Sequence, residues 1–221
     1  MPNDGFLHRY FLTNAHKRLY KWIHYLDIYE HHFHRYRGRA PVMLEIGVAG
    51  DGSLAMWKEY FGKGSRIIGL DTNPDCMAHQ ADGIDIFIGN QADPAILAEI
   101  LARFPLIDIV LDDGSHTMSD MRASFEFLYP KISPFGVYFV EDLHTCYWEE
   151  YGGGLKAPGT FIELAKDLMD VLNATHSRGT VPVTEVTAST FSISTYDSII
   201  AFEKRPQVKR LAPITEKMKI A

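Results

Sequence analysis

Two short acidic segments hold the residues best suited to chemistry. The first is Leu111-Asp112-Asp113-Gly114-Ser115-His116 and the second is Val140-Glu141-Asp142-Leu143-His144, and each follows an apolar, strand-like run. Each segment therefore places carboxylates where a buried strand gives way to a loop. Because like charges repel unless a cation or protons neutralise them, this concentration of acids predicts a bound cation beside a histidine.

The spacing of the two segments predicts that they meet. From Asp113 to Glu141 the chain has the length of one strand–helix–strand unit, about 30 residues, so the two strands are expected to be neighbours. Asp113, Glu141 and Asp142 then converge on one crevice. Three carboxylates suit Mg²⁺, which keeps part of its octahedral shell for water and substrate oxygens.

His116 is the candidate base at this site, and Asp113 is the second residue predicted to be catalytic. An imidazole titrates near neutral pH and can take the proton of an acceptor hydroxyl. The alternative is that Asp112, Asp113 and Ser115 cap the following helix and that His116 lies on the surface. One cap needs one side chain, so this alternative leaves the other acids unexplained.

Alternating strand and helix patterns from Pro41 onward supply the elements that must position these residues. The predicted strands are Val42–Gly47, Ile67–Asp71, Ile84–Ile88, Ile107–Leu111 and Gly136–Val140, with helices over Leu54–Phe61, Pro94–Phe104, Met118–Tyr129 and Phe161–Ala174. Two more strands, Thr184–Tyr196 and Ser198–Glu203, follow with a tight turn at Asp197. The pattern predicts an α/β, Rossmann-like doubly wound sheet of five parallel strands plus a C-terminal antiparallel pair, the outline of a class I methyltransferase.

Before this sheet, apolar and aromatic residues recur at helical intervals from about Asn14 to Tyr36, which predicts one or two helices that cap the main domain. On a helix, Lys21, His24 and Tyr25 would share a face that closes over a ligand, although core packing also explains Tyr25. The run His31-His32-Phe33-His34 lacks further metal ligands nearby and is expected to be packed or solvated.

The turn after the first strand is the candidate cofactor site. Its sequence, Glu45-Ile46-Gly47-Val48-Ala49-Gly50-Asp51-Gly52-Ser53, has the glycine pattern G-x-x-G-x-G instead of the G-x-G-x-x-G of a dinucleotide site. Glu45 would oppose a pyrophosphate but suits the cationic sulfonium and amino group of S-adenosylmethionine. The predicted contacts in this turn are Glu45, Gly47, Gly50 and Ser53.

The ends of the next two strands extend this prediction. Asp71 is placed to accept hydrogen bonds from a ribose diol, and Asn90 and Gln91 are placed to meet an adenine edge. Asp112 is assigned to the cofactor side and kept out of the metal set. The alternative is an ordinary strand–helix turn with Asp71 as a helix cap.

Composition narrows the class of protein. The net charge is −6 and 46% of the 221 residues are hydrophobic, which predicts one domain with a real core and neither a nucleic-acid nor a membrane partner. Cys76 and Cys146 match no redox or metal-ligand spacing, and no apolar signal segment is evident. These features predict a cytoplasmic protein.

Taken together, the motifs resemble the metal-dependent sugar O-methyltransferases of macrolide biosynthesis (the mycinamicin and tylosin type) and the cephalosporin hydroxylase-like proteins. The resemblance runs from about Lys21 to Glu203. Its motifs are Lys21-x-x-His24-Tyr25, Leu44-Glu45-Ile46-Gly47-Val48, Gly52-Ser53-Leu54-x-Met56-Trp57, Gly69-Leu70-Asp71, Gly89-Asn90-Gln91, Asp112-Asp113-Gly114-Ser115-His116, Glu141-Asp142-Leu143-His144 and Tyr147-Trp148.

The resemblance implies Mg²⁺ on Asp113, Glu141 and Asp142 and a base at His116. Two departures, Asp51 in the glycine turn and Asn90 where an aspartate is common, both concern the cofactor pocket. The expected activity is S-adenosylmethionine- and Mg²⁺-dependent O-methylation of a small natural product, a sugar or glycoside with a hydroxyl or vicinal diol. The alternatives are a metal-dependent hydrolase or hydroxylase-associated protein, and a catalytically silent binding protein.

The expected organisation has three parts: a helical cap over 1–40, the S-adenosylmethionine-dependent methyltransferase domain over 41–205 and a tail over 206–221. A homo-oligomer is expected. The roles of His144 and of the Tyr147–Gly154 loop stay open between acceptor contact and loop packing.

Overall fold

The computed structural model describes residues 5–207 and 211–212, so most of the predicted tail lies outside the described residues. Within them, seven strands form one sheet in the order β3-β2-β1-β4-β5-β7-β6. The first five are mutually parallel, whereas β7 runs antiparallel to both β5 and β6. The strands are β1 (Val42–Ile46), β2 (Arg66–Asp71), β3 (Ile84–Ile88), β4 (Ile109–Asp112), β5 (Val137–Val140), β6 (Thr190–Tyr196) and β7 (Ile199–Lys204).

Helices cover both faces of this sheet. They are α1 (Phe6–Thr13), α2 (Ile23–Phe33), α3 (Gly52–Phe61), α4 (Pro94–Arg103), α5 (Met118–Leu128), α6 (Phe161–Leu172) and α7 (Glu185–Ser189). Side chains alternate along each strand, so one core cluster joins the sheet to α1, α2 and α3, and a second joins the other face to α4, α5 and α6. None of the described helices is long and apolar enough to cross a membrane.

The predicted architecture is confirmed, including the neighbouring positions of the fourth and fifth strands. Asp112 of β4 lies opposite Val140 of β5, so Asp113 and Glu141 leave the sheet side by side. The carboxyl ends of β1, β4 and β5 thus form one edge, and the site lies there, as expected for an open parallel sheet.

Two stretches of predicted secondary structure are wrong. Residues 185–189, predicted as strand, form α7 with Thr184 as the N-cap, because the Thr187 hydroxyl accepts a hydrogen bond from the Thr184 backbone N–H at 3.0 Å and helps to begin a helix. The β-branched residues there had favoured a strand.

Residues 14–22, predicted as helical, are extended or bent, and the chain is helical before them, in α1. The Asn14 side-chain amide donates to the Lys17 carbonyl at 2.7 Å, which favours a turn after α1. Lys21 therefore precedes α2 instead of lying on a helical face with His24 and Tyr25. The segment 14–22 crosses the carboxyl edge of the sheet, and it passes so close that a Cβ on Gly52 would come within 2.3 Å of the Arg18 carbonyl oxygen.

Candidate active site

A cavity of about 630 Å³ opens at the carboxyl edge of the sheet. Its walls come from the segment 14–22, the turn after β1, the end of β2 and the two acidic segments. The predicted site residues that line it are Gly47, Gly50, Ser53, Asp71, Asp113, His116, Glu141 and Asp142.

Gly47 couples the turn after β1 to the first acidic segment. Its φ is +88°, and a Cβ built there would lie 2.0 Å from the Asp113 carbonyl oxygen. A side chain at this position would therefore meet both backbone strain and a backbone clash. The close approach fixes where the Asp113 main chain stands relative to the turn.

Asp71 holds the same turn from the end of β2. Its Oδ2 accepts hydrogen bonds from the Val48 and Ala49 N–H groups at 2.8 and 3.0 Å, and its Oδ1 accepts one from the Asn73 N–H at 2.8 Å. Burial tends to raise the pKa of this carboxyl, but the three N–H groups outweigh it and the pKa is lowered. Asp71 is thus a carboxylate at the cavity wall, and its contact with a ribose stays a prediction.

Three residues face each other at the other end of the cavity. The Nε2 atom of His116 lies 3.8 Å from Asp113 Oδ1 and 3.7 Å from Asp142 Oδ2, and one ligand atom from each residue fits within a mutual distance of 4.8 Å. His116 and Asp142 both have left-handed backbones, with φ of 57° and 54°. This conformation is costly for non-glycine residues and is concentrated at functional sites.

Glu141 lies behind these residues and is buried. Tyr29 donates a hydrogen bond to its Oε1, and the Lys21 ammonium lies 3.1 Å from its Oε2. Burial raises the pKa of Glu141 well above its usual value, with Asp113 adding to the shift and Lys21 opposing it. The neighbouring Asp142 accepts a hydrogen bond from the Tyr25 hydroxyl at 2.8 Å.

Lys21 is the contact to the acids that the sequence did not indicate. Its Nζ lies 2.5 Å from Asp113 Oδ2 and 3.7 Å from Glu45 Oε1, in addition to its contact with Glu141. Burial lowers the pKa of the ammonium, yet the three carboxylates outweigh it and the pKa is raised. The sequence indicated Lys21 only through the motif Lys21-x-x-His24-Tyr25 and through a predicted helical face closing over a ligand, and neither indicated a contact with the acids.

Glu45 is fully buried beneath the turn and does not line the cavity. The Ser53 hydroxyl donates to its Oε2 at 2.9 Å, whereas its Oε1 has no hydrogen-bond partner. Burial raises the pKa of Glu45 to about 7. A direct contact between Glu45 and a cofactor stays a prediction.

Asp112 points to the opposite face of the sheet from Asp113. Its carboxylate accepts hydrogen bonds from Gln91 Nε2 at 2.9 Å, Ser124 Oγ at 2.6 Å and the Tyr138 hydroxyl at 3.0 Å. Burial raises its pKa. The structure therefore gives Asp112 a packed, hydrogen-bonded position away from the acidic cluster, and its assignment to the cofactor side stays a prediction.

Asn90 and Gln91 line a second cavity of about 140 Å³, which shares Gly47, Asp71 and Gly114 with the first. The Oε1 atom of Gln91 also accepts a hydrogen bond from the Ser115 N–H at 2.8 Å. These two residues are thus placed beside the main cavity, and their contact with an adenine stays a prediction.

Two other histidines have packing partners. The His32 ring lies 2.9 Å from Glu203 Oε1 and 2.9 Å from the Tyr196 hydroxyl, which accords with the packed role expected for the histidine run. His144 lies 2.7 Å from Ser198 Oγ and contacts the Trp148 ring.

No protein-family model matches the chain, but comparison with individual proteins is informative. The demethylmacrocin O-methyltransferase of Streptomyces fradiae is 41% identical over 154 residues, 65% of this chain and 38% of that protein. The 8-demethyl-8-alpha-L-rhamnosyl tetracenomycin-C 2'-O-methyltransferase of Streptomyces olivaceus is 36% identical over 197 residues, 84% of this chain and 52% of that protein. The chain is homologous to the sugar O-methyltransferases of antibiotic biosynthesis.

A solved structure extends this homology to the fold. This chain matches the structure of the MycE methyltransferase of the mycinamycin biosynthetic pathway, in complex with Mg and SAH, with a TM-score of 0.78 and 32% identity. The match covers 90% of this chain and 53% of the MycE chain. The fold is thus that of a class I methyltransferase, and the chain spans about half the length of the relatives it matches, between 38% and 53%.

Proposed function

We propose that the protein is an S-adenosylmethionine- and Mg²⁺-dependent O-methyltransferase that acts on a hydroxyl of a small natural product, a sugar or glycoside. The observation that carries this proposal is one cavity with a glycine turn and Asp71 at one end and Asp113, His116 and Asp142 at the other. The homologous O-methyltransferases support it, and the MycE structure contains both Mg and SAH.

The glycines and the carboxylate at the cofactor end support the binding of a nucleoside with a cationic sulfur. Gly47 and Gly50 let the backbone approach a ligand, and Asp71 presents a carboxylate to the cavity. The adjoining cavity, which Asn90 and Gln91 line, supports the proposal that these residues contact the adenine. S-adenosylmethionine supplies an electrophilic methyl group at this end.

The acidic end fits a divalent cation. Glu45, Asp113 and Glu141 lie around the ammonium of Lys21, and Asp142 faces the same His116 ring as Asp113, so carboxyl groups outnumber the ammonium in this cluster. Asp113, Glu141 and Asp142 would hold Mg²⁺ through carboxylate oxygens, the donors that this ion prefers. When bound, the ion lowers the pKa of an acceptor hydroxyl and orients it.

His116 is the proposed base. Its Nε2 faces Asp113 and Asp142 at the cavity wall, so it is within reach of a hydroxyl held between the two ends. Nε2 takes the hydroxyl proton, the oxygen forms a bond to the methyl carbon and the sulfur–methyl bond breaks, which leaves S-adenosylhomocysteine. Holding the two reactants in line supplies much of the acceleration.

The mouth of the cavity favours an acceptor with apolar ring faces. Tyr20 and Trp22 line the cavity and are 85% and 51% exposed. Aromatic rings of this kind pack against the C–H faces of a sugar while hydroxyls remain in water. The acceptor names of the relatives, which include a rhamnosyl tetracenomycin, support this class.

The test is transfer of a labelled methyl group from S-adenosylmethionine to a panel of glycosides, with Mg²⁺ and with EDTA. We expect transfer that EDTA abolishes and excess Mg²⁺ restores. His116→Ala should lower the rate about 10²- to 10⁴-fold without loss of S-adenosylhomocysteine binding, whereas the exposed His34→Ala should retain the rate. Transfer undiminished in EDTA would rule out the metal role, and full activity of His116→Ala would rule out the base.

Calorimetry separates this proposal from its main alternative. If the protein binds neither S-adenosylmethionine nor S-adenosylhomocysteine, a metal-dependent hydrolase or hydroxylase-associated protein is favoured.

We further propose a homo-oligomeric, cytoplasmic enzyme in which residues 1–40 cap a catalytic domain over 41–205. Sedimentation of the purified chain tests the oligomeric state.

A further inference from the structure

The ammonium of Lys21 is a buried charge that belongs to no helix and contacts three acids. Its side chain is 4% exposed, and Nζ lies 2.5 Å from Asp113 Oδ2, 3.1 Å from Glu141 Oε2 and 3.7 Å from Glu45 Oε1. A buried charge is stable only when it is paired. The three carboxyl groups are the partners that stabilise the Lys21 charge in this position.

The contacts of Lys21 determine which oxygens are free. Glu141 is bound at both oxygens, by Tyr29 at Oε1 and by Lys21 at Oε2. Asp113 gives its Oδ2 to Lys21, while its Oδ1 faces His116. With Lys21 in this place, the residues grouped closely enough to share one ion are Asp113, His116 and Asp142, without Glu141.

A divalent cation and the ammonium cannot share these oxygens without strong repulsion. Two like charges a few ångströms apart repel by several kcal/mol when they are shielded from water. The segment 14–22 has no helical hydrogen bonds to keep the Lys21 backbone in place, and Lys21 lines the open cavity. The side chain therefore has a route away from the acids.

We propose that Lys21 is an internal counter-ion that competes with a divalent cation for Asp113 and Glu141 and leaves the acidic cluster when the cation binds. The inference rests on the metal site of the proposed function. Lys21 is a positioning residue in this scheme: it keeps the acids together in the metal-free protein and sets the affinity of the site for the cation.

The first test compares Lys21→Met with wild type by calorimetric titration with MgCl₂ and by thermal unfolding without metal. Methionine is unbranched and one atom shorter than lysine, so it keeps most of the side chain and removes the charge. We expect Lys21→Met to bind Mg²⁺ about ten-fold more tightly or better, because no ammonium has to leave. We also expect it to unfold at a lower temperature without metal and to recover when Mg²⁺ is added.

Lys17→Met is the matched control. Lys17 lies in the same segment and forms an ion pair with Asp51, but it is 41% exposed and makes no contact with the acidic cluster. The control removes the same charge and should bind Mg²⁺ as wild type does. A folded Lys21→Met that binds Mg²⁺ with unchanged or weaker affinity would overturn the proposal.

A second test uses the wild-type protein and so does not depend on the folding of the variant. The protein is treated with an amine-acetylating reagent with and without Mg²⁺, and modification of each lysine is measured by peptide mass spectrometry. Mg²⁺ should increase acetylation of Lys21 several-fold and leave that of Lys17 unchanged. If Lys21 is acetylated equally slowly without Mg²⁺ and at saturating Mg²⁺, the side chain stays in the cluster and the proposal is overturned.

These readouts separate the inference from the proposed function. Mg²⁺ binding with no methyl transfer to any acceptor would contradict the activity and leave the competition testable. Mg²⁺ binding to wild type without a change in Lys21→Met would contradict the competition alone. A wild-type protein that binds no Mg²⁺ would contradict both the metal role and the competition.

Discussion

At the scale of single residues, the site is a balance of buried charges. Glu45 shows most directly what it costs to bury a carboxylate. It is fully buried, and one oxygen accepts a hydrogen bond from Ser53 while the other has no hydrogen-bond partner. Burial disfavours its charged form more than the nearby Lys21 favours it. Its protonation therefore links the stability of the protein to pH.

We predict that Glu45→Gln changes the pH dependence of stability. With a pKa of about 7 in the folded protein against the usual 4.5, Glu45 binds a proton on folding between these values, so the wild-type free energy of unfolding falls as pH rises from 4.5 to 7. The free energy of unfolding of Glu45→Gln does not fall in this way, so above pH 7 it should exceed that of wild type by up to about 3 kcal/mol more than it does at pH 4.5.

Urea unfolding of the metal-free proteins from pH 4.5 to pH 8 measures this difference. Glu126→Gln is the control, because Glu126 is exposed on α5 and pairs with Arg122. It should keep the wild-type slope. A constant difference between Glu45→Gln and wild type at every pH would contradict the prediction.

At the scale of elements, the turn between β1 and α3 joins the two ends of the cavity. Gly47 touches the backbone of the segment that carries Asp113, and Asp71 bonds the N–H groups of Val48 and Ala49. The turn is therefore held from β2 and from β4, and a change in it should reach both the cofactor end and the acidic end.

We predict that Gly47→Ala destabilises the protein by more than about 3 kcal/mol and abolishes binding of S-adenosylhomocysteine, since both backbone strain and a clash at 2.0 Å must be relieved. Gly38→Ala is the matched control. Gly38 has a φ of +70° with nothing within 4 Å of a Cβ, so only strain of about 1–2 kcal/mol is expected, with binding intact. Equal effects of the two substitutions in urea unfolding and calorimetry would show that the contact with Asp113 is unimportant.

At the scale of the whole molecule, the chain has a net charge of −6, and four of its acidic residues line one cavity: Asp71, Asp113, Glu141 and Asp142. A ligand that binds only the folded state stabilises it by mass action. Because Asp113, Glu141 and Asp142 come from two loops that meet only in the folded sheet, a divalent cation should have this effect.

We predict that Mg²⁺ at 100 times its dissociation constant stabilises the protein by about 2.7 kcal/mol, which raises the unfolding temperature by about 5–10 °C for a chain of this size. Differential scanning calorimetry with and without MgCl₂ measures the shift. NaCl at equal ionic strength is the control, since general screening would act in the same way with either salt. Equal shifts would contradict a specific site.

The predictions from sequence were right for features that depend only on local hydrophobic pattern and on the order of the strands. Apolar runs fixed β1 to β5, and their carboxyl ends placed Asp71, Asp113 and Asp142 at one edge. The prediction of a helix over residues 14–22 and of a strand over 184–189 was wrong, because turn and cap hydrogen bonds outweighed periodicity and β-branched composition there.

The sequence by itself determined the class of fold and the acids that lie where two strands end. Only the tertiary structure decided that Asp112 is bonded to Ser124 and Tyr138 and that Lys21 lies among the acids. The reason is physical: strand patterns arise from neighbours in the chain, whereas the place of Lys21 depends on contacts between segments about a hundred residues apart, which no local periodicity encodes.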